Sequence, residues 1–367
     1  MDIIELTQDL VRINSTNPGL YEKEVASYIK DFLMGLGQDV EIAEFDKNRA
    51  SVVCSVGKGE GLFFNGHIDT VPVVNNWKED PFGGKIKGNK IFGLGASDMK
   101  GGVAAMLSAF SKVSKQKFKR KLLMIFVADE EVGLNGSSHL LEKKKEVFKD
   151  VEYGVMSEPS DSKLEIAQKG IAELKAVFTG KAAHGSRPWQ GENAVYKATA
   201  FIEEVKNLIK ELDKRKDDLL GSPTINIGKI TGGTKVNIVP DRCEVEIDRR
   251  LIPGETGEQV EKELNGILKK LNIKGDIQWL DGSPRPALKI SKESKIVKEI
   301  LKIKKLTLSF SQGYTEAELY HTKAGIECVV FGPGKKSVIH APDEYAEIDK
   351  LKEAEIVYEK LVRSWCL

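Results

Sequence analysis

The stretch GLFFNGHIDTVPV (residues 61–73) drives an apolar run into His67 and Asp69, and Thr70 and Pro72 close it. A short apolar run bounded by turn residues reads as a strand buried in a sheet. Working outward, VVCSV, LLMIFVA and YGVMS repeat that pattern, and the helical stretches GGVAAMLSAFSKVSK and SHLLEKKKEVF alternate with them. Strands interleaved with helices predict an α/β fold, a mixed sheet flanked by helices. Residues 171–284 read differently. Strand IAELKAVFTG, helix ENAVYKATAFIEEVKNLIKELDKR, strands TINIGKI and CEVEIDRRL, helix EQVEKELNGILKKL and strand DIQWL follow the β-α-β-β-α-β order of a ferredoxin-like α+β sandwich. The helix and strand alternation then returns in SKIVKEILKIKK, LTLSF, CVVFGPG and EIVYEKLVRSW. The expected organisation is a catalytic domain of residues 1–170 and 285–367, interrupted by an inserted domain at 171–284.

Bulk properties narrow the function. At 367 residues, two domains of unequal size are the first expectation. Lys plus Arg number 56 against 55 Asp plus Glu, so no overall field draws the chain to nucleic acid or to an anionic membrane. Cys54, Cys243, Cys328 and Cys366 are scattered without a CxxC pair, which argues against a zinc knuckle or a disulfide framework and for a reducing, cytoplasmic setting. The opening MDIIELTQDLVRI carries acids through its apolar positions, unlike a secretory signal. LLMIFVA is far short of the roughly 20 residues of a membrane helix. A soluble protein is expected.

The chemistry-bearing residues follow β-like runs. His67 and Asp69 are joined by Asp98 in GLGASDMKGG, Glu130 and Glu131 in IFVADEEVG, Glu158 in VMSEPS, and His340 with Asp343 and Glu344 in HAPDEY. Ligands of open α/β sheets gather beyond the carboxyl ends of strands, so these positions can converge on one crevice. Carboxylates crowded into a partly dry cleft repel one another and call for cations or protons. Imidazole mixed with carboxylate suits zinc first, with cobalt or manganese as alternatives. In the HxD pattern His67 binds metal through one ring nitrogen while Asp69 accepts from the other. The bland alternative is a helix-capping Asp beside a satisfied buried His. Glu130 and Glu131 would point to opposite faces of a continuing strand, so a shared role requires the chain to turn, which Gly133 and Asn135 favour. An acidic pair on a solvated surface is the alternative there.

Taken in order, NGHIDTVP, GLGASDMKGG, ADEEVG, SEPS, AAHGSRPWQGENA, NIVP, FGPG and HAPDEY cover nearly the whole chain and resemble the M20 family of metallopeptidases and deacylases. The likeness is to its acetylornithine deacetylase and succinyl-diaminopimelate desuccinylase branch, with carboxypeptidase G2-like relatives. It implies a zinc-peptidase-like catalytic domain and an insertion that serves as lid and dimerisation domain. It implies that Asp98 bridges two divalent metals, that His67 and Glu158 complete one site, and that Glu131 and His340 complete the other. Glu130 becomes the general base, Asp69 supports His67, and a cis peptide follows Asp98. His184, from the same chain or from a partner subunit, becomes the oxyanion donor. Asn237 and Arg250 bind the substrate carboxylate, and Gly332 and Gly334 offer backbone N–H groups nearby. For Asn237 a turn cap before Pro240 is the alternative, and for Arg250 a surface charge. His139 and His321 match no functional position. The sequence departs from the pattern in HID for the commoner HTD, and in TEA at 315–317 for TDA or SDA, which leaves acyl specificity open.

The reaction implied is attack of a metal-bridging hydroxide on the amide of a small N-acyl amino acid. A dipeptidase or carboxypeptidase with the same dinuclear centre is the nearest rival, and a noncatalytic metal-binding scaffold the third reading. Other motifs fail. No GxGxxG follows a strand, FGPGKKS has Val329 where a P-loop needs Gly, and Ser97 sits in GASDM rather than GxSxG. Lysines such as those of KQKFKRK read as solvated surface.

Overall fold

The computed structural model describes residues 2–280, 282 and 284–367. Its main strands, in chain order, are β1 (Val40–Asp46), β2 (Arg49–Val56), β3 (Gly61–His67), β4 (Lys121–Val127), β5 (Val151–Met156), β6 (Leu164–Gln168), β7 (Gly170–Thr179), β8 (Thr224–Gly232), β9 (Arg242–Leu251), β10 (Gly275–Trp279) and β11 (Glu327–Val330). The helices are α1 (Ile3–Arg12), α2 (Lys23–Gly35), α3 (Gly101–Ser111), α4 (Asn135–Lys143), α5 (Ala194–Leu212), α6 (Gly257–Lys270), α7 (Lys295–Ile303), α8 (Ala317–Ala324) and α9 (Ile348–Cys366). Contacts divide the chain into two compact units. One runs through Ile166 and adds Ile290–Ser309 and Thr315–Leu367; the other is Ala167–Lys289 with Phe310–Tyr314.

In the first unit every residue of β3 and β4 is buried, the condition of a strand covered on both faces. The sheet runs β1-β2-β4-β3-β5-β11-β6. β1, β2 and β4 pair antiparallel, whereas β4, β3, β5 and β11 run parallel. Four strands therefore end at the same edge, and the segments leaving them carry His67, Glu130, Glu131, Glu158 and the FGPG loop. Helix α3 is buried along all but its last residue and packs against α1 and α9. Gly101 permits the close approach of α9, since a Cβ there would come within 2.9 Å of Leu351 Cδ2. The stretch SHLLEKKKEVF, expected as one helix, breaks after Lys143 into a short 3-10 turn at Lys145–Phe148. Run together, its five charged residues Glu142 to Glu146 offer no continuous apolar stripe to hold a longer helix.

The second unit has the ferredoxin-like order, with antiparallel neighbours β8-β9-β7-β10. Cys243, Val245, Ile247 and Leu251 alternate along β9 toward a core shared with Phe178, Ala198, Phe201 and Leu264. Asn193 caps α5 through Val195 and Tyr196 amides, and Thr256 with Gln259 forms a capping box on α6. The chain enters and leaves this unit side by side, for Gln168 pairs antiparallel with Leu288 and Ile171 with Arg285. Phe310, expected with the catalytic domain, belongs here because it packs on Ala167, Leu220 and Ile252. Among the described residues no helix is long and apolar enough to cross a membrane. All four cysteines are buried and unpaired.

Phe63 anchors the larger sheet on its helices, with ring centroids 4.8 Å from Tyr320 and 5.9 Å from Phe148. Phe63→Ala is expected to remove about 3–5 kcal/mol from the unfolding free energy. Urea titration of the metal-free protein measures this, and a loss below about 1 kcal/mol would show that the site collapses without cost.

Candidate metal centre

Asp98 stands where the parallel strand ends converge. Gly95, with φ +78°, turns the chain ahead of it, and the Asp98–Met99 peptide is cis. A Cβ at Gly95 would come within 2.6 Å of Thr70 Cγ2, so the turn requires glycine twice over. The two oxygens of Asp98 face different imidazoles. Oδ1 lies 3.1 Å from His67 Nε2, and Oδ2 lies 3.3 Å from His340 Nε2. His67 Nε2 is also 3.8 Å from Glu158 Oε2, and His340 Nε2 is 3.1 Å from Glu131 Oε2. Two donor groups result, His67 with Asp98 and Glu158, and Asp98 with Glu131 and His340, each with its ligand atoms within 4.8 Å of one another.

The electrostatics of the bare side chains are those of a site built for cations. Burial, reinforced by neighbouring acids, pushes Glu130 well above the usual carboxylate range, raises Glu131, and takes Glu158 up to about 8. Burial also works against ionised Asp98, yet the imidazoles of His340 and His67 hold it below its ordinary value. Hydrogen bonds to Asp98 and Glu131 raise His340 to about 10. Charge on this scale is tolerated only when protons or metal ions compensate it. Glu131 Oε1 is buried with no hydrogen-bond partner, an orphaned acceptor that a cation would satisfy. The imidazole and carboxylate donors fit zinc or a similar divalent ion.

Asp69 faces His67 with both its backbone carbonyl and its carboxylate. His67 Nδ1 lies 3.0 Å from the carbonyl and 3.6 Å from the carboxylate. Burial opposes charge on the imidazole, yet the acid of Glu158 and the hydrogen bond of the Asp69 carboxylate raise it. The carboxylate also accepts the backbone N–H of Glu130 at Oδ1 and of Glu131 at Oδ2, each at 3.2 Å, and the Asn17 amide at 3.0 Å. It thus holds the turn that lets two adjacent glutamates serve one site. Asp129, at φ +69°, starts this turn and accepts from the Asn135 backbone N–H at 3.1 Å, from Asn17 at 2.8 Å and from Arg49. Arg49 in turn makes paired 2.9 Å hydrogen bonds to buried Glu22. Asn17, Asp129, Arg49 and Glu22 went unnoticed in the sequence, and nothing in their spacing marks them.

Gly332 of FGPG also acts differently from expectation. The Gly332 N–H donates to Ser160 Oγ at 3.0 Å, so it is not free for a substrate. A Cβ on Gly332 would lie 2.3 Å from the Ser157 carbonyl and 2.4 Å from that of Glu158, and one on Gly334 would lie 2.2 Å from the Ser97 carbonyl. These glycines let the loop press against the segments bearing Glu158 and Asp98. Glu316 of TEA is buried, accepts from Ser137 Oγ at 2.5 Å, and its charge adds to the upward push on Glu130 and Glu158.

His184, Asn237 and Arg250 lie in the second unit. His184 is exposed, and its Nδ1 accepts from the Ser186 backbone N–H at 3.1 Å, which leaves the ring proton on Nε2. The Gly185 N–H donates to the Asn237 carbonyl at 2.7 Å, so the His184 and Asn237 loops are laced together. The Arg250 fork is engaged by Asp248, at 2.8 and 3.0 Å. His321 meets the Ile326 carbonyl, and His139 lies against Phe45.

Comparison with known proteins follows the same lines. The chain is 28% identical to a probable succinyl-diaminopimelate desuccinylase of Staphylococcus aureus (strain N315), over 97% of each. It is 30% identical to the acetylornithine deacetylase of Buchnera aphidicola subsp. Schizaphis graminum, over 87% of this chain and 84% of that one. Its fold superposes on an M20 family metallo-carboxypeptidase from Sulfolobus solfataricus with a TM-score of 0.81 at 21% identity, covering 99% of both chains. With residues 63–364 matching the profile of peptidase family M20/M25/M40, the chain belongs to that family and is a hydrolase of its kind.

Proposed function

We propose that the protein is a dinuclear-metal amidohydrolase that removes a small acyl group from an N-acyl amino acid. The observation that carries this reading is the division of Asp98 between His67 and His340, each of which has a second acid beside it. His67, Asp98 and Glu158 would hold one ion, and Asp98, Glu131 and His340 the other. Zinc suits the donor set best, with cobalt or manganese as alternatives. Bound there, a pair of divalent ions would polarise the scissile carbonyl and acidify water enough for attack near neutral pH.

Glu130 belongs to neither donor group. Its backbone is pinned by Asp69, and its carboxyl stays available to take a proton from the attacking water and to return it to the leaving amine. His184, with its ring proton on Nε2, is the proposed donor to the developing oxyanion, from its own chain or a partner's. Asn237 and Arg250 are proposed to take the substrate carboxylate, with Arg250 exchanging Asp248 for it. The inserted unit is proposed as the lid and as the face through which a homodimer forms. The named activities of the Staphylococcus aureus and Buchnera aphidicola relatives support deacylation, and four unpaired thiols support a cytoplasmic setting.

The test is a panel of acetyl-ornithine, succinyl-diaminopimelate, other acylated amino acids and simple dipeptides, run on protein loaded with zinc, cobalt or manganese. Release of amine from acyl amino acids is expected. Preference for dipeptides would replace deacylation with peptidase activity on the same centre, and inertness toward every amide would remove both. On the best substrate, Glu130→Ala is expected to retain its metals and lose about 10²–10⁴-fold in kcat. An unchanged kcat would remove Glu130 as the base. His184→Ala is expected to lower kcat more than it raises KM, and the reverse would make it a binding residue.

A further inference from the structure

Glu344 is 1% exposed and takes part in no ion pair among the described residues. All of its recorded partners are backbone amides of one loop. Oε2 accepts from the Gly95 N–H at 3.2 Å, and Oε1 accepts from the Ser97 N–H at 2.8 Å and the Asp98 N–H at 2.9 Å. The Glu344 backbone carbonyl takes the Gly93 N–H at 2.9 Å as well. Burying a carboxylate is costly, and both the charge of buried Lys100 and the convergent N–H groups offset that cost. Several amides of a short irregular loop can point at one spot only if the loop is wrapped around that spot. Glu344 is thus the object about which residues 93–98 are folded, and the last amide it holds belongs to Asp98.

The same residue closes the segment that begins at His340. Glu344 therefore joins two pieces of chain, one presenting the carboxylate common to both donor groups and the other presenting an imidazole of the second group. Further ties keep the loop in place. The Lys335 N–H donates to Ser97 Oγ at 2.6 Å, and Lys100 Nζ donates to the Ile13 carbonyl at 2.7 Å. Both oxygens of Glu344 accept from loop amides, whereas glutamine would turn an NH₂ group toward one or more of them.

We propose that Glu344 is a positioning residue of the dinuclear centre: by gathering the 93–98 loop it sets where Asp98 stands relative to His340, and with that the geometry of the shared metal ligand. This rests on the metal-binding reading of the site given above. The test compares wild type with Glu344→Gln and Glu344→Asp after removal of metal by chelation. Zn²⁺ is titrated by calorimetry, with circular dichroism and the metal-free Tm recorded alongside. Glu344→Gln is expected to keep the fold and to lose about 10–100-fold in Zn²⁺ affinity, the usual effect of removing a group that orients ligands. Glu344→Asp, with its charge drawn back by one methylene, is expected to lose less. Wild-type Zn²⁺ affinity and stoichiometry in Glu344→Gln, with only Tm lowered, would overturn the proposal and leave Glu344 a packing residue. Should Glu344→Gln fail to fold, wild-type Zn²⁺ binding by Glu344→Asp overturns it equally. A wild-type chain that takes up no Zn²⁺ removes the metal reading and this proposal together.

Discussion

One carboxylate governs the larger unit. Asp98 turns one oxygen to His67 and the other to His340, with Glu158 beside the first imidazole and Glu131 beside the second. This arrangement is accessible because β4, β3, β5 and β11 are parallel and finish at one edge. Parallel strands bring the segments that leave them together irrespective of distance along the chain. The cost is repulsion. Burial first, and neighbouring acids after it, hold the carboxyls of Glu130 and Glu158 above their ordinary range.

Around that cluster, further carboxylates hold the loops in place by binding their backbone N–H groups. Asp69 gathers the amides of Glu130 and Glu131, Glu344 gathers those of the loop before Asp98, and Asp129 gathers the Asn135 turn. Each is a carboxylate binding backbone N–H groups, a use of charge that shapes loops as well as balancing them. Arg49 and Glu22 extend the Asp129 arm toward the first helices. The ligand-bearing loops are consequently held by hydrogen bonds and close glycine contacts, with little dependence on their own secondary structure.

What could be read from the sequence divides along the range of the interaction. The strand at 61–67 and the order of elements in the insertion depend on local periodicity, and both were legible. The helix break after Lys143 was not, because charge and apolar residues in SHLLEKKKEVF balance too finely. The Arg250–Asp248 pair was within reach, since alternate residues of a strand share a face. Gly332 was misread because its N–H partner, Ser160, is remote in sequence. The same holds for Asn17 with Asp129. Glu344 stands among the acids that follow the strands, but the loop amides it holds are remote in sequence, so its part there was not legible.

The antiparallel neck at Gln168 and Leu288 has an evolutionary corollary. Chain between the paired ends can lengthen or shorten at little entropic cost, because the gap it must close stays fixed. That tolerance stops at the second tie, Phe310–Tyr314, which the same unit includes.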